Sequence, residues 1–172
     1  MNGIILLGIV FLILENAVVP WLVPPAWSDR LLPHLTFVLT MFVAAFAGRH
    51  PAFLFGLGFG MLQDLLSYGE LIGPYAFGMG LLGYLVGLLA EYRTFSVGVF
   101  AWVTVMAGVL LDSIVYFIYN LFRLTELSYA YALYWQAAPT ALLQLLIALL
   151  IYVPVRRYLA KTSSSQGEDS SE

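Results

Sequence analysis

The stretch that decides the fold is Phe55–Leu89, which reads FGLGFGMLQDLLSYGELIGPYAFGMGLLGYLVGLL. It is apolar almost throughout, yet it contains nine glycines and the charged Asp64. Glycine disfavours a helix in water by about 1 kcal/mol relative to alanine. In membrane helices it is common, because a small residue lets two backbones approach closely. The stretch therefore predicts two glycine-rich membrane helices joined by a short turn at Ser67–Pro74.

The composition of the whole chain points the same way. Of its 172 residues, 62% are hydrophobic and 10% are charged, whereas a soluble domain carries about 25% charged residues. The chain has no cysteine, which excludes disulfides and thiolate chemistry. A net charge of −3 does not indicate a nucleic-acid partner. The apolar N-terminal segment lacks a preceding basic residue and a small-residue cleavage site, so we expect a retained helix rather than a cleaved signal peptide.

Six segments are long and apolar enough to be membrane helices, which need about 20 residues each. They lie at residues 3–23, 32–48, 51–67, 73–90, 94–121 and 135–155. The expected fold class is therefore all-α, a polytopic membrane protein with about six transmembrane helices. One transmembrane domain would span residues 1–161, and the Ser-rich, acidic residues 162–172 would form a disordered cytoplasmic tail.

Basic residues predict the orientation. If the N-terminus is cytoplasmic, two basic residues fall in outer loops, Arg30 and Arg123. The other five fall on the inner side: Arg49, Arg93, Arg156, Arg157 and Lys161. This excess follows the positive-inside rule, so we expect both termini in the cytoplasm.

Polar side chains within the apolar segments are the candidates for function, because a charge at the membrane centre costs roughly 2.5–3.5 kcal/mol. They are Glu15, Asn16, Gln63, Asp64, Asp112, Asn120, Gln136 and Gln144. Two interpretations stay open: a proton or cation relay through the acids, or hydrogen bonds that fix the bundle. The absence of basic residues within these segments favours the second. His34 and His50 are expected near the membrane interface, without a metal.

Two glycine patterns accompany these acids. Gly60 precedes Asp64 by four residues, and Gly108 precedes Asp112 by four, so each pair shares one helix face. We expect both faces to pack, with the glycine against a neighbouring backbone and the aspartate bonded to a polar group on it.

The second glycine pattern is small-x-x-x-small spacing, at Gly56 and Gly60 and again at Gly83 and Gly87. The spacing leaves two uses open, packing within the bundle or docking of another protein's membrane helix. We find no catalytic motif and expect neither an enzyme nor a cofactor.

The order and spacing of several motifs resemble the MreD family. They are Leu14-Glu15-Asn16, Pro33-His34-Leu35, Gly60-Met61-Leu62-Gln63-Asp64, Gly73-Pro74-Tyr75 and Gly83-Tyr84-Leu85-Val86-Gly87. The resemblance implies a non-enzymatic membrane scaffold of the bacterial elongasome, which supports lateral peptidoglycan synthesis and rod shape. Its implied partners are a bitopic MreC-like protein, MreB, RodA, a class B penicillin-binding protein and membrane lipid.

The family is also similar in fold to the substrate-binding subunits of energy-coupling-factor vitamin transporters, which gives an alternative function. A subunit of that kind needs an outer polar and aromatic pocket, which five residues could line: Tyr68, Glu70, Tyr75, Tyr129 and Tyr131.

Overall fold

The computed structural model describes residues 2–18, 21, 34–66, 71–93, 95–125, 128–134 and 139–150, and this part of the chain is helical without a strand. Helix α1 is Asn2–Ile13 and continues as a π-helical turn at Leu14–Val18. The helices that follow are α2 (Leu35–Ala47), α3 (Arg49–Leu66), α4 (Pro74–Tyr92), α5 (Val97–Leu121), α6 (Tyr129–Ala132) and α7 (Pro139–Leu150).

Helix ends differ from the predicted bounds for local reasons. Helix α3 begins at Arg49, two residues before the predicted start at Pro51, because a proline in the first turn has no hydrogen bond to lose. Helix α5 begins at Val97, since the Ser96 side chain accepts a hydrogen bond from the Val99 N–H and caps the helix. The short helix α6 lies where a loop was expected.

Some predicted features fall outside the described residues. These are residues 19–20 and 22–23 of the first predicted helix, the segments 32–33, 135–138 and 151–155, and the tail at 162–172.

Helix α2 is the centre of the bundle. All of its residues from Thr36 to Ala44 are buried, as expected for a helix that is apolar on every side. It packs against α3, α4 and α5. The ring centroids of Phe42 and of Phe100 in α5, for example, are 4.4 Å apart. His34, just before α2, is buried as well, whereas Phe46 and Ala47 at the other end of α2 are exposed.

The outer faces of the helices are apolar. Leu54 of α3 and Trp102 of α5 are both 68% exposed, and they stand among many other exposed large hydrophobic side chains. Helices α4 and α5 are long and apolar enough to cross a membrane, while Gly3–Val18, α2 and α7 are apolar but shorter. An exterior of this kind suits a lipid environment, because soluble proteins rarely expose apolar patches of such extent.

Candidate functional site

Helices α3 and α4 form an antiparallel pair that we call the glycine hairpin. A Cβ added at Gly60 would lie 2.6 Å from the Ala76 Cα, and one at Gly56 would lie 2.5 Å from the Met79 carbonyl oxygen. Both distances are too short for real atoms. The two glycines of α3 therefore let the backbone of α4 approach to contact.

The glycines of α4 face α3 in the same way. A Cβ at Gly83 would lie 2.9 Å from the Ala52 carbonyl oxygen, and one at Gly87 would lie 2.5 Å from the Arg49 Cα. The small residues thus line both sides of the contact between the two helices. In the structure, the four glycines with small-x-x-x-small spacing contact the other helix of the hairpin.

Asp64 closes the hairpin at the end of α3. Its carboxylate accepts three backbone N–H bonds, from Gly73 at 3.0 Å, Tyr75 at 3.2 Å and Ala76 at 3.0 Å. Gly73 is the residue before α4 and has no side chain to cap it, and its φ of +123° lies in the region that favours glycine. The carboxylate from α3 therefore supplies the N-terminal cap of α4, where the helix dipole favours a negative charge.

Glu15 does the same for α2. His34 precedes α2 without capping it through its side chain. Instead, the Glu15 Oε2 accepts the Thr36 backbone N–H at 3.1 Å and the Thr36 hydroxyl at 2.9 Å. Glu15 is buried in the π-helical turn after α1. The acid of one helix thus caps the next helix of the bundle, as Asp64 does for α4.

Two amides join Glu15 to α3. The Gln63 Nε2 donates to the Glu15 Oε1 at 3.1 Å, and the Asn16 Nδ2 donates to the Gln63 Oε1 at 3.2 Å. The Asn16 Nδ2 also donates to the Leu12 carbonyl at 2.9 Å. The three polar residues whose role the sequence left open, Glu15, Asn16 and Gln63, are therefore hydrogen-bonded to one another.

His34 completes this group, and sequence reasoning missed it. It is buried, at 3% exposed. Its Nε2 lies 3.2 Å from the Asp112 Oδ1 of α5, and its Nδ1 lies 3.6 Å from the Glu15 Oε1. We call Glu15, Asn16, His34, Gln63 and Asp112 the polar cluster. The signal that could have found His34 was its place directly before a helix that is apolar all round and hence buried.

The two Gly-x-x-x-Asp pairs are used differently. In α3, Gly60 and Asp64 both face α4. In α5, Gly108 lies against the side-chain amide of Gln144 in α7 rather than against a backbone, while Asp112 faces His34. The pair in α5 therefore contacts two separate neighbours, so the expectation of one packing device used twice is wrong for α5.

Of the five residues predicted to line an outer pocket, the structure describes Tyr75, Tyr129 and Tyr131. Tyr68 and Glu70 lie outside the described residues. Tyr75 is next to His34, with ring centroids 5.6 Å apart, while Tyr129 meets Ser113 of α5 through its hydroxyl at 3.1 Å. In the described part of the chain, no group of His, Asp and Glu side chains is arranged to hold a metal ion.

A helical bundle with apolar outer faces and paired polar groups inside has the features of a helical membrane protein. Comparison with known proteins then identifies the family. Residues 1–162 match the family of the rod shape-determining protein MreD, and the chain belongs to that family, which confirms the resemblance seen in the sequence.

A curated relative agrees with the family match. The chain is 28% identical over 136 residues to the rod shape-determining protein MreD of Bacillus subtilis (strain 168), and the alignment covers 78% of each protein. No solved structure matches the chain.

Proposed function

We propose that this protein is a non-enzymatic, multi-pass scaffold of the bacterial elongasome in the cytoplasmic (inner) membrane. In this role it binds an MreC-like bitopic protein and supports lateral peptidoglycan synthesis and rod cell shape. The observation that carries the proposal is membership of a rod shape-determining family along residues 1–162. The alternative, a vitamin-binding transporter subunit, has no support from the comparisons.

The geometry is compatible with a scaffold. Asp64 and the polar cluster make their hydrogen bonds within the chain. The glycines of each hairpin helix contact the other helix of the hairpin. What stays free to meet a partner's membrane helix is the apolar exterior, such as the α3 face with Leu54 and Met61, which are 68% and 49% exposed. Gly58 lies on the same helix with open space beside it, so a partner helix could approach α3 closely there.

Copurification in mild detergent from native membranes tests the partner. We expect a bitopic coiled-coil protein, together with RodA, a class B penicillin-binding protein or MreB. Recovery of neither the bitopic protein nor any cell-wall synthase would contradict the scaffold function. A photo-crosslinking residue at Leu54 of α3, compared with one at Trp102 of α5, then shows which outer face the partner contacts.

Orientation has its own test, because the chain lacks cysteine and a single introduced cysteine can be labelled alone. We propose cytoplasmic termini, with Arg123 outside and His50 inside, as the positive-inside rule indicates. Both residues are exposed on the protein. A membrane-impermeant maleimide added to intact cells should label Arg123→Cys, and should label His50→Cys only after permeabilisation. The reverse pattern would overturn the orientation.

A further inference from the structure

The His34 side chain lies between two acids that come from different helices. Its Nε2 is within hydrogen-bond distance of Asp112, and its Nδ1 is 3.6 Å from Glu15. The Nδ1 is buried and has no hydrogen-bond partner among the described residues. Both ring nitrogens therefore point at carboxyl oxygens in a site enclosed by apolar helices.

This arrangement does not suit a neutral imidazole. A neutral ring has one N–H donor and one lone pair, and an ionised carboxylate can only accept. Either tautomer of His34 therefore sets a nitrogen lone pair against a carboxylate. Two hydrogen-bond acceptors that face each other in a buried site raise the free energy of the folded state, because little water is present to screen them. One more proton removes the conflict.

The hydrogen bonds around Glu15 indicate where that proton resides. The Leu12 carbonyl fixes the Asn16 amide as a donor, which makes the Gln63 Oε1 the acceptor and the Gln63 Nε2 the donor to Glu15. The other Glu15 oxygen accepts two bonds from Thr36. Both Glu15 oxygens thus receive donors, as an ionised carboxylate does. The Asp112 side chain is 23% exposed, so an ionised Asp112 carboxylate is not completely enclosed by the protein.

We propose that His34, Glu15 and Asp112 form a proton-binding site in which the imidazole carries the proton. The Nε2–H donates to Asp112, and the Nδ1–H faces Glu15 at ion-pair distance. The proton changes the summed charge of these three groups from −2 to −1, and ties α1 and α5 to the start of α2. When it leaves, either Asp112 loses its His34 donor, or Glu15 loses the imidazole but keeps its donors from Thr36 and Gln63. The strength of the contact between these helices therefore depends on the proton.

Other titratable groups surround this site. The Tyr75 ring contacts His34 from α4. Two further titratable groups lie around Tyr75, Asp64 of α3 and Tyr119 of α5. Glu15 and Asp112 are the acids whose oxygens lie within 3.6 Å of the His34 ring nitrogens, so we expect them to set its protonation.

Nitrogen NMR of ¹⁵N-histidine-labelled protein in lipid nanodiscs tests the proposal, with His50→Gln to assign the two signals. We expect His34 to show two protonated ring nitrogens at neutral pH. A neutral, single-tautomer signal from His34 under these conditions would overturn the proposal.

A variant separates a proton site from simple packing. Asp112→Asn removes a charge but keeps the size of the side chain, so His34 should lose its second proton at lower pH than in the unchanged protein. Glu91→Gln is the matched control, because this acid lies beside Arg49, at the end of α4 opposite to Tyr75. The His34 signal of the Glu91→Gln protein should not move. An unaltered His34 titration in a folded Asp112→Asn protein would contradict the role of Asp112.

Discussion

The glycine hairpin and the polar cluster both use an acid to cap a helix, but with different partners. Asp64 receives three backbone N–H groups, from Gly73 and the first turn of α4. Glu15 receives one backbone N–H of α2, and its other partners are side chains, including the His34 imidazole at ion-pair distance. Backbone donors cannot lose their protons, whereas the imidazole can. The hairpin is therefore a fixed joint, and the cluster is a joint whose strength depends on a proton.

The two regions also differ in how the helices are held together. The hairpin is held by direct backbone contact at its glycines, which leaves little room for adjustment. The cluster joins the turn after α1, the start of α2, α3 and α5 through side-chain contacts, which can adjust by rotation about the χ angles. Changes in the hairpin should therefore cost more stability than changes in the cluster.

The largest effect is expected for Gly60→Leu. Its Cβ alone would lie 2.6 Å from the Ala76 Cα, so α3 and α4 cannot keep their contact, and overpacking of this kind costs about 1–3 kcal/mol or more. Gly58→Leu is the matched control, because Gly58 is on the same helix with nothing within 4 Å. Thermal unfolding in detergent should show a large loss for the first variant and little change for the second. Equal losses would mean that the glycine contact does not hold the hairpin.

A smaller but clear loss is expected for Asp64→Leu. It removes the shared acceptor of three backbone N–H groups at the start of α4, and the loss of such a helix cap costs about 0.5–2 kcal/mol. Asp64→Asn keeps one acceptor oxygen and should lose less, with partial retention of rod shape in a complementation assay. If Asp64→Asn abolished function while the protein still inserted and bound its partner, the capping role would be insufficient and protonation of Asp64 would be required.

Within the cluster, Glu15→Gln should destabilise more than Asp112→Asn. The amide that replaces the Glu15 carboxylate sets an NH₂ group against one of the donors from Thr36 or Gln63, at about 1–3 kcal/mol. Asp112 contacts His34, and its side chain is 23% exposed against 6% for Glu15, so Asp112→Asn should cost about 1 kcal/mol. Denaturant titration of both variants at one pH measures the difference. The opposite order would show that Asp112 is the main anchor of His34.

The sequence allowed the hairpin to be predicted better than the cluster. The glycine spacing at Gly56 and Gly60 is local, and so is the Gly60–Asp64 pair, so both can be read within one or two turns of helix. The role of His34 cannot be read in this way. It depends on α2 becoming the central helix, and on contacts with Glu15, 19 residues before His34, and Asp112, 78 residues after it. Tertiary packing sets these contacts.

The smallest effect is expected for Gln144→Leu, which compares two buried glutamines. Gln144 is 1% exposed and its Nε2 has no partner within the described residues, whereas Gln63 bonds to both Glu15 and Asn16. Replacing an unsatisfied amide by an apolar group of similar size is nearly neutral, while removing a bonded one costs about 1–3 kcal/mol. Gln144→Leu should therefore shift the unfolding temperature little and Gln63→Leu should lower it. A large loss from Gln144→Leu would mean that this amide bonds to a group outside the described residues.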